Sequence, residues 1–256
     1  MRTLVFFNHA GGVSKTSSTR DIGYTLARDH QLRVLLIDVD PQANLSSWLG
    51  VPQVPDERTV LGTLLRDEPL PEPYAVHGLR LIASNLWLAS AEAQLPGVVG
   101  GFAHLRQQVR RLHDQYDLVL IDSPPSLGQL SLAAAVAADG LVVPVPTTHK
   151  GVGGIAGVLK MIETYRKLNP GLHVAWYLPT QHNPHTLHHR EALAWMQGNL
   201  SPLGSPISYR PAIYPDAHAQ SLPVGAYQPG SPADLEVKRA TTELLAALDL
   251  GVVHGQ

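Results

Sequence analysis

The stretch NHAGGVSKTSST, residues 8–19, is close to a phosphate-binding loop but departs from the usual patterns in three places. The pattern G-x-x-x-x-G-K-[ST] is anchored here by Lys15 but requires glycine where His9 and Ser14 stand. A second pattern, K-G-G-x-x-K-[ST], fits the glycine pair and Lys15 but requires a lysine where Ala10 stands. The stretch therefore predicts a phosphate site and raises the question of what replaces the missing positive charge.

The residues of this loop have the chemistry that a nucleoside triphosphate requires. Gly11 and Gly12 allow backbone conformations that other residues avoid, and they let a phosphate approach closely. A helix that begins after them offers free N–H groups and a positive dipole end to an anion. Lys15 is expected to reach the β- and γ-phosphates, and the Thr16 hydroxyl is expected to bind Mg²⁺. Taken alone, the loop could also be a plain glycine turn that leads into a helix.

Two aspartate-bearing motifs strengthen this prediction. The stretch LLIDVDPQANLSS, residues 35–47, has Asp38 and Asp40 two residues apart at the end of a predicted strand. One carboxylate near Mg²⁺ and one near the attacking water is a division of roles that suits phosphoryl transfer. The stretch YDLVLIDSPPS, residues 116–126, ends another strand in Asp122, where an acidic residue can hold Mg²⁺ through water. Each aspartate alone could be a turn or helix cap, but the three motifs together predict ATP binding.

Strand-like and helical runs alternate along the chain, which predicts an α/β fold with a mostly parallel sheet and helices on both faces. The distinctive residues follow the predicted strands, and ligands of open parallel sheets bind at that carboxyl edge. The predicted strands are 4–7, 33–37, 79–83, 118–121, 141–145 and 174–178, the predicted helices are about 16–28, 155–168 and 233–250, and the predicted loops are 52–56, 69–73, 96–101 and 202–232.

Composition narrows the class of protein. Hydrophobic residues make up 44% of the 256 residues and charged residues 16%, as in chains that bury a sizeable core. The chain has no cysteine, which excludes disulfides, thiolate zinc sites and iron–sulfur clusters and fits a reducing cytoplasm. We expect no signal peptide, because Met1-Arg2-Thr3 runs straight into a predicted strand, and no membrane span, because no apolar run reaches about 18 residues. With a net charge of −2, any contact with nucleic acid must come from a local patch.

Through these motifs the chain resembles the ParA-type ATPases, the ParA/MinD group of P-loop NTPases with a deviant Walker A loop. The resemblance spans nearly the whole chain, and DVDPQANLS is especially typical of the partition branch. It implies a P-loop NTPase fold in a single domain, residues 1–256, without an N-terminal helix-turn-helix extension. The segments that carry the resemblance are AGGVSKTS, LLIDVDPQANLSSWLG, DLVLIDSPPSLG, ADGLVVPVPTT and a C-terminal region that begins ISYRPAIYPDA.

The resemblance also implies roles for individual residues. Asp40 would position the hydrolytic water, and Asp122 would act on Mg²⁺. Arg210 matches the arginine of the family's Pro-Arg stretch. The expected catalytic residues are Lys15, Asp40 and Lys150; the expected nucleotide-binding residues are Gly11, Gly12, Val13, Ser14, Lys15, Thr16, Ser17 and Arg210; and Thr16, Asp38 and Asp122 are expected at Mg²⁺, directly or through water.

Ala10 is where the chain departs from the family. Most members have a lysine there that reaches across the dimer to the partner's nucleotide. The McdA relatives, which position carboxysomes, also lack it and use a lysine in the C-terminal half of the chain. Lys150 follows the predicted strand 141–145 at the sheet's carboxyl edge, next to glycines that would let the loop approach a dimer partner. We expect Lys150 to contact the nucleotide, in its own subunit or across the dimer; the alternative is a solvated loop lysine.

The resemblance implies a cytoplasmic, nucleoid-associated ATPase that segregates plasmid or chromosome DNA. Such proteins form ATP-sandwich homodimers, bind DNA without sequence preference and hydrolyse ATP weakly until DNA and a partner stimulate them. The partner would be a ParB-like centromere-binding protein or a small adaptor encoded nearby. The alternatives are McdA-like positioning of a protein compartment, a MinD-like membrane-cycling regulator, which a weakly basic last helix disfavours, and a nucleotide-binding metabolic enzyme.

Several basic and aromatic residues can be interpreted either as functional residues or as ordinary solvated or packed side chains. Arg190 and Arg210 are the candidate contacts to DNA phosphates, although surface arginines are often simply solvated. His185 and His189, four residues apart, could ligate a metal, but no acidic or thiol residue accompanies them at a familiar spacing, so a solvated or DNA-facing loop is favoured. The tryptophans are expected to pack in the core or just below the surface; they are Trp48, Trp87, Trp176 and Trp195.

Overall fold

One seven-stranded sheet brings the three sequence motifs to the same edge. The structure, a computed structural model, describes residues 1–250, so the predicted domain boundary at residue 256 lies outside the described residues. The strand order is β3-β4-β2-β5-β1-β6-β7, with β3 antiparallel to β4 and the other neighbours parallel. The strands are β1 Arg2–Phe6, β2 Val34–Asp38, β3 Tyr74–Val76, β4 Leu79–Ile82, β5 Leu118–Asp122, β6 Gly140–Pro146 and β7 Val174–Thr180.

Helices cover both faces of the sheet, as predicted. Successive side chains of a strand point to opposite faces, and along β1 Leu4 and Phe6 pack in one core while Val5 and Phe7 pack in the other. The described α-helices are α1 Lys15–Asp29, α2 Asn44–Ser47, α3 Leu61–Arg66, α4 Ser90–Gln94, α5 Gly101–Arg110, α6 Gln129–Ala137, α7 His149–Tyr165, α8 Leu187–Asn199, α9 Tyr214–Ala219, α10 Val224–Tyr227 and α11 Pro232–Ala247. No helix within residues 1–250 is long and apolar enough to cross a membrane.

The register aligns the functional carboxylates. Asp38 on β2 pairs with Asp122 on β5, and Asp122 pairs with Phe6 on β1. Because in-register residues of parallel strands point to the same face, the two aspartates lie side by side next to the start of the phosphate loop. The pairing is reinforced where Ser123 donates its hydroxyl to the carbonyl of Phe6 at 2.7 Å.

Helix α7 begins six residues earlier than predicted, so Lys150 belongs to its first turn and not to a loop. Thr148 caps this helix by accepting a hydrogen bond from the Gly151 backbone N–H at 3.1 Å. Gly151, one of the glycines expected to let this segment approach a dimer partner, instead lets α7 pack closely, because a Cβ there would clash with the carbonyl oxygen of Pro146. The predicted loop 202–232 likewise contains α9 and α10.

The tryptophans divide between core and surface. Trp176 is buried, and Trp48 stacks on His218 with ring centroids 3.8 Å apart. Trp87 and Trp195 are 70% and 43% exposed, so the packing prediction was wrong for these two.

Candidate nucleotide site

The loop between β1 and α1 presents the start of α1 to the carboxyl edge of the sheet. Gly12 and Ser14 both adopt left-handed backbone conformations, with φ of 69° and 72°. For serine this costs roughly 1–2 kcal/mol, which explains why the usual pattern has glycine there. Within residues 1–250 no side chain caps the N-terminus of α1. The N–H groups of its first turn are therefore available to an anion.

Asn8 fixes the beginning of the loop. Its side-chain amide donates to the carbonyl of Pro144 on β6 at 2.8 Å, and its carbonyl oxygen accepts from the Ala10 N–H at 3.0 Å. Neither loop pattern includes Asn8, so the sequence assigned it no role, although a polar residue two positions after the end of β1 was a usable signal.

Lys15 is almost fully buried and lies between acidic groups. Its ammonium group donates to the carbonyl of Ala10 at 2.9 Å. Burial lowers the pKa of Lys15, while the charges of Asp122 and Asp40 act in the opposite direction. A buried ammonium group with so few partners is suited to receive the negative charge of a phosphate.

Asp122 is fully buried at the end of β5 and only partly satisfied. The Thr19 hydroxyl donates to its Oδ1 at 3.4 Å, but no donor from the described part of the chain reaches its Oδ2. Burial, followed by the charge of Asp38, raises the pKa of Asp122 well above its usual value. An orphaned carboxylate oxygen beside Thr16 and Lys15 fits a divalent cation, which would offset the cost of burying this charge.

Asp38 and Asp40 have different surroundings. Asp38 accepts from the Ser46 backbone at 3.0 Å, from the Ser46 hydroxyl at 2.7 Å and from the Asp40 N–H at 3.1 Å, and so it orders the turn into α2. Both Asp38 oxygens thus already accept hydrogen bonds, and a role at Mg²⁺ stays a prediction. Asp40 accepts from the Gln42 N–H at 2.9 Å and lines the cavity above the loop.

Three cavities surround the loop. One of about 310 Å³ lies over residues 12–17 and reaches Asp40 and Trp48, where phosphates would lie. A second, of about 180 Å³, is largely apolar and would suit a nucleobase. A third, of about 170 Å³, is lined by Lys150 together with Ala10 and Gly11. The second cavity is lined by residues that include Ser17, Ile22, Ile207, Arg210, Tyr214 and Val237.

The three basic residues predicted to be functional lie in different places relative to the phosphate loop. Lys150 is exposed and shares a cavity with Ala10, the position of the missing lysine. Arg210 lines the apolar cavity, and its guanidinium donates to Glu236 at 2.6 Å. Arg190 is exposed on α8. Arg210 therefore lines a cavity next to the phosphate loop, and its contact with a nucleotide, like the contacts of Arg210 and Arg190 with DNA, stays a prediction.

The histidine pair does not form a metal site. His182 and His189 both hydrogen-bond the Thr147 hydroxyl, at 3.1 and 2.9 Å, and His185 is exposed. Among residues 1–250, no group of three His, Cys, Asp or Glu side chains is arranged to hold a metal ion. His189 lies in α8 and is held by Thr147, so the favoured interpretation as a solvated loop is wrong for His189, whereas His185 is exposed before the helix.

Comparison with known proteins agrees with this geometry. Residues 1–174 match the family described as AAA domain. A probable plasmid-partitioning protein ParA of Thermus thermophilus is 41% identical over 257 residues, which cover 95% of this chain and 78% of that protein.

Two solved structures share the fold along nearly the whole chain. The Cyanothece McdA(D38A)–ATP complex has a TM-score of 0.84 at 25% identity, covering 97% of this chain and 96% of that one. The cobyrinic acid a,c-diamide synthase of Mycobacterium smegmatis with bound ADP and magnesium has a TM-score of 0.80 at 29% identity, covering 98% and 97%. With its phosphate loop and paired aspartates at one sheet edge, the chain belongs to the AAA-domain family as a ParA/MinD-type P-loop ATPase.

Proposed function

We propose that this chain is a ParA-like ATPase that uses Mg²⁺ and ATP to segregate plasmid or chromosome DNA. The observation that carries the proposal is that Lys15 and Asp40 line one cavity over the N-terminus of α1, with the buried carboxylate of Asp122 close to Lys15. The 41% identity to a probable plasmid-partitioning protein supports partition as the task. ATP-dependent homodimers, non-specific DNA binding, a ParB-like or small adaptor partner and a cytoplasmic, nucleoid-associated location belong to the same proposal.

The residues divide the work of phosphoryl transfer. The N–H groups of residues 11–17 and the ammonium group of Lys15 bind the phosphates and neutralise charge that develops on them. Asp122 and Thr16 would hold Mg²⁺, directly or through water, and the bound ion would further neutralise the phosphate charge. Asp40 accepts a hydrogen bond from the attacking water and orients it. The apolar cavity beside Arg210 takes the base.

Replacing Asp122 should separate stability from function. Asp122→Asn removes a buried carboxylate and should raise the free energy of unfolding of the nucleotide-free protein by about 1–3 kcal/mol at pH 8. The folded-state pKa of Asp122 lies above its unfolded value, so its contribution is present at low pH and is lost as pH rises. The gain should therefore grow between pH 5 and pH 9 in urea titrations, while Mg²⁺-dependent turnover is lost.

The matched control for this experiment is Asp117→Asn. Asp117 is partly exposed and pairs with Arg33 at 2.7 Å, which lowers its pKa. Asp117→Asn should lower the free energy of unfolding above pH 4, which is opposite in sign to the change expected for Asp122→Asn. An Asp122→Asn protein that is less stable than the wild type at pH 8 would contradict the account of Asp122.

Asp40→Ala should retain ATP binding and ATP-dependent dimers but slow hydrolysis at least a hundredfold, because the attacking water loses its orienting group. Lys15→Ala should instead lose ATP binding altogether. Calorimetry and a phosphate-release assay separate the two, with Asp114→Ala, an 86% exposed aspartate before β5, as the control. Normal turnover by Asp40→Ala would remove Asp40 from the mechanism.

Lys150 is proposed to supply the charge that is missing at Ala10. Lys150→Ala should leave ATP binding by the monomer nearly intact and abolish ATP-dependent dimers in size-exclusion chromatography. Lys160→Ala is the control, because Lys160 is exposed on the same helix about 15 Å further along. If Lys150→Ala dimerises and hydrolyses ATP as the wild type does, Lys150 does not replace the missing lysine.

DNA binding would rest on few contacts per subunit, since the net charge is −2. Arg190→Ala should weaken binding to all DNA sequences alike and reduce the slope of log K against log salt by about 0.9 per lost phosphate contact. Arg210→Ala should also weaken nucleotide binding, since Arg210 lines the base cavity. Arg33→Ala, at the opposite edge of the sheet, is the control. Unchanged gel shifts in the Arg190/Arg210 double variant would assign the DNA contact to other residues.

A second candidate function is McdA-like positioning of a protein compartment. It is favoured by one observation, the cavity that Lys150 shares with Ala10, because the resemblance assigns a C-terminal-half lysine to that group. The neighbouring gene distinguishes the two tasks. A helix-turn-helix centromere-binding protein supports partition, and a small adaptor without that domain supports positioning.

A further inference from the structure

The end of β7 holds the phosphate loop through hydrogen bonds to its backbone. The Thr180 hydroxyl donates to the carbonyl of Val13 at 3.2 Å, and the Gln181 side-chain amide donates to the carbonyl of Gly12. The same Gln181 nitrogen lies 3.4 Å from the Ser14 hydroxyl oxygen. Since a carbonyl oxygen can only accept, the amide nitrogen of Gln181 must be the atom that faces Gly12. Two successive carbonyls of the loop thus receive hydrogen bonds from one strand end.

These two carbonyls decide which way the peptide planes of the loop face. An anion-binding loop requires its N–H groups to point at the phosphate, so the carbonyl groups of the same planes must point away. A peptide plane that flips would aim a negative carbonyl oxygen at the phosphate. The donors that Thr180 and Gln181 hold against the carbonyls of Val13 and Gly12 oppose that flip.

The loop needs this support because Ser14 stands where the usual pattern has glycine. Ser14 is held in a left-handed conformation, and Gln181 is itself left-handed, with φ of 54°. Strained backbone conformations persist where the surrounding structure holds them. The two strained residues meet through the Gln181 side chain, which also lines all three cavities around the loop.

We propose that Gln181 is a positioning residue that keeps the phosphate loop in its anion-binding shape and so sets the affinity for the phosphates of the nucleotide. This inference rests on the proposed function, since it assigns a new residue to the same site. Gln181 makes its contribution through the backbone of Gly12 and the side chain of Ser14, so its effect should not depend on the base of the nucleotide.

The test compares Mg²⁺·ATP with inorganic tripolyphosphate, which has phosphates but no base. Gln181→Met keeps the length of the side chain and removes its donor. It should weaken the binding of both ligands by about tenfold in calorimetry, the loss expected for one well-placed hydrogen bond. KM for ATP should rise by the same factor while kcat stays within about twofold, because the loss falls equally on the ground state and the transition state. Gln197→Met, an exposed glutamine on α8, is the control.

A rescue variant makes the interpretation specific. In Ser14→Gly the left-handed position is unstrained, so adding Gln181→Met to it should weaken tripolyphosphate binding by less than about threefold. Weaker ATP binding with unchanged tripolyphosphate binding would make Gln181 a contact to the base and overturn the proposal. If Gln181→Met lowered the melting temperature and left both affinities unchanged, Gln181 would have only a structural role, which would also overturn the proposal.

Ligand binding by the wild-type protein distinguishes a failure of this inference from a failure of the proposed function. If the wild type binds both ligands and Gln181→Met binds them equally well, the role of Gln181 is contradicted and the proposed function is not. A wild-type protein that binds neither Mg²⁺·ATP nor tripolyphosphate contradicts the proposed function and the inference together.

Discussion

Two carboxyl groups, Asp40 and Asp122, lie close to the ammonium group of Lys15, with Asp38 beside Asp122, and the rest of the site depends on how these charges are satisfied. Burial disfavours the charged form of Lys15 and of Asp122 alike, so neither is fully stabilised by its surroundings. Asp38 accepts hydrogen bonds from the Ser46 backbone and hydroxyl, but burial outweighs them and raises the pKa of Asp38 to about 7. Asp122 keeps one oxygen that no donor within residues 1–250 reaches. A divalent cation at Asp122 and a phosphate at Lys15 each supply a missing partner.

The strand order creates this crowding. β5 lies between β1 and β2, so the ends of three strands that are far apart in the sequence meet at one point. The residues of β2 and β5 are buried throughout, as in parallel strands covered on both faces. Such strands are continuous apolar runs, which is why both could be predicted from the sequence and why the aspartates that end them could be assigned to one edge.

Other features had no comparable local signal. β3 is three residues long and depends on its antiparallel pairing with β4. The start of α7 was missed because its glycines lower helix propensity, whereas close packing against Pro146 and capping by Thr148 decide the outcome. The contact between Gln181 and Gly12 spans 169 positions of the chain, so only the fold brings them together.

The three departures of the loop from the usual pattern are accommodated by the β6–β7 side of the sheet. His9 lies against α7, where a Cβ on Gly157 would come within 3.3 Å of its ring. Ala10 faces the cavity that Lys150 lines, and Ser14 is held by Gln181. The glycines of α7 and the end of β7 therefore lie against the phosphate loop, although they are more than 130 residues away in sequence. The altered loop and its supports have to be understood as one unit.

The most direct test of this account is a crystal structure grown with Mn²⁺ and a non-hydrolysable ATP analogue, with anomalous data collected at the manganese edge. The account predicts one anomalous peak beside Thr16 and Asp122, with the terminal phosphate beside Lys15. A nucleotide bound away from residues 11–17, or a peak at the histidines of α8, would contradict it.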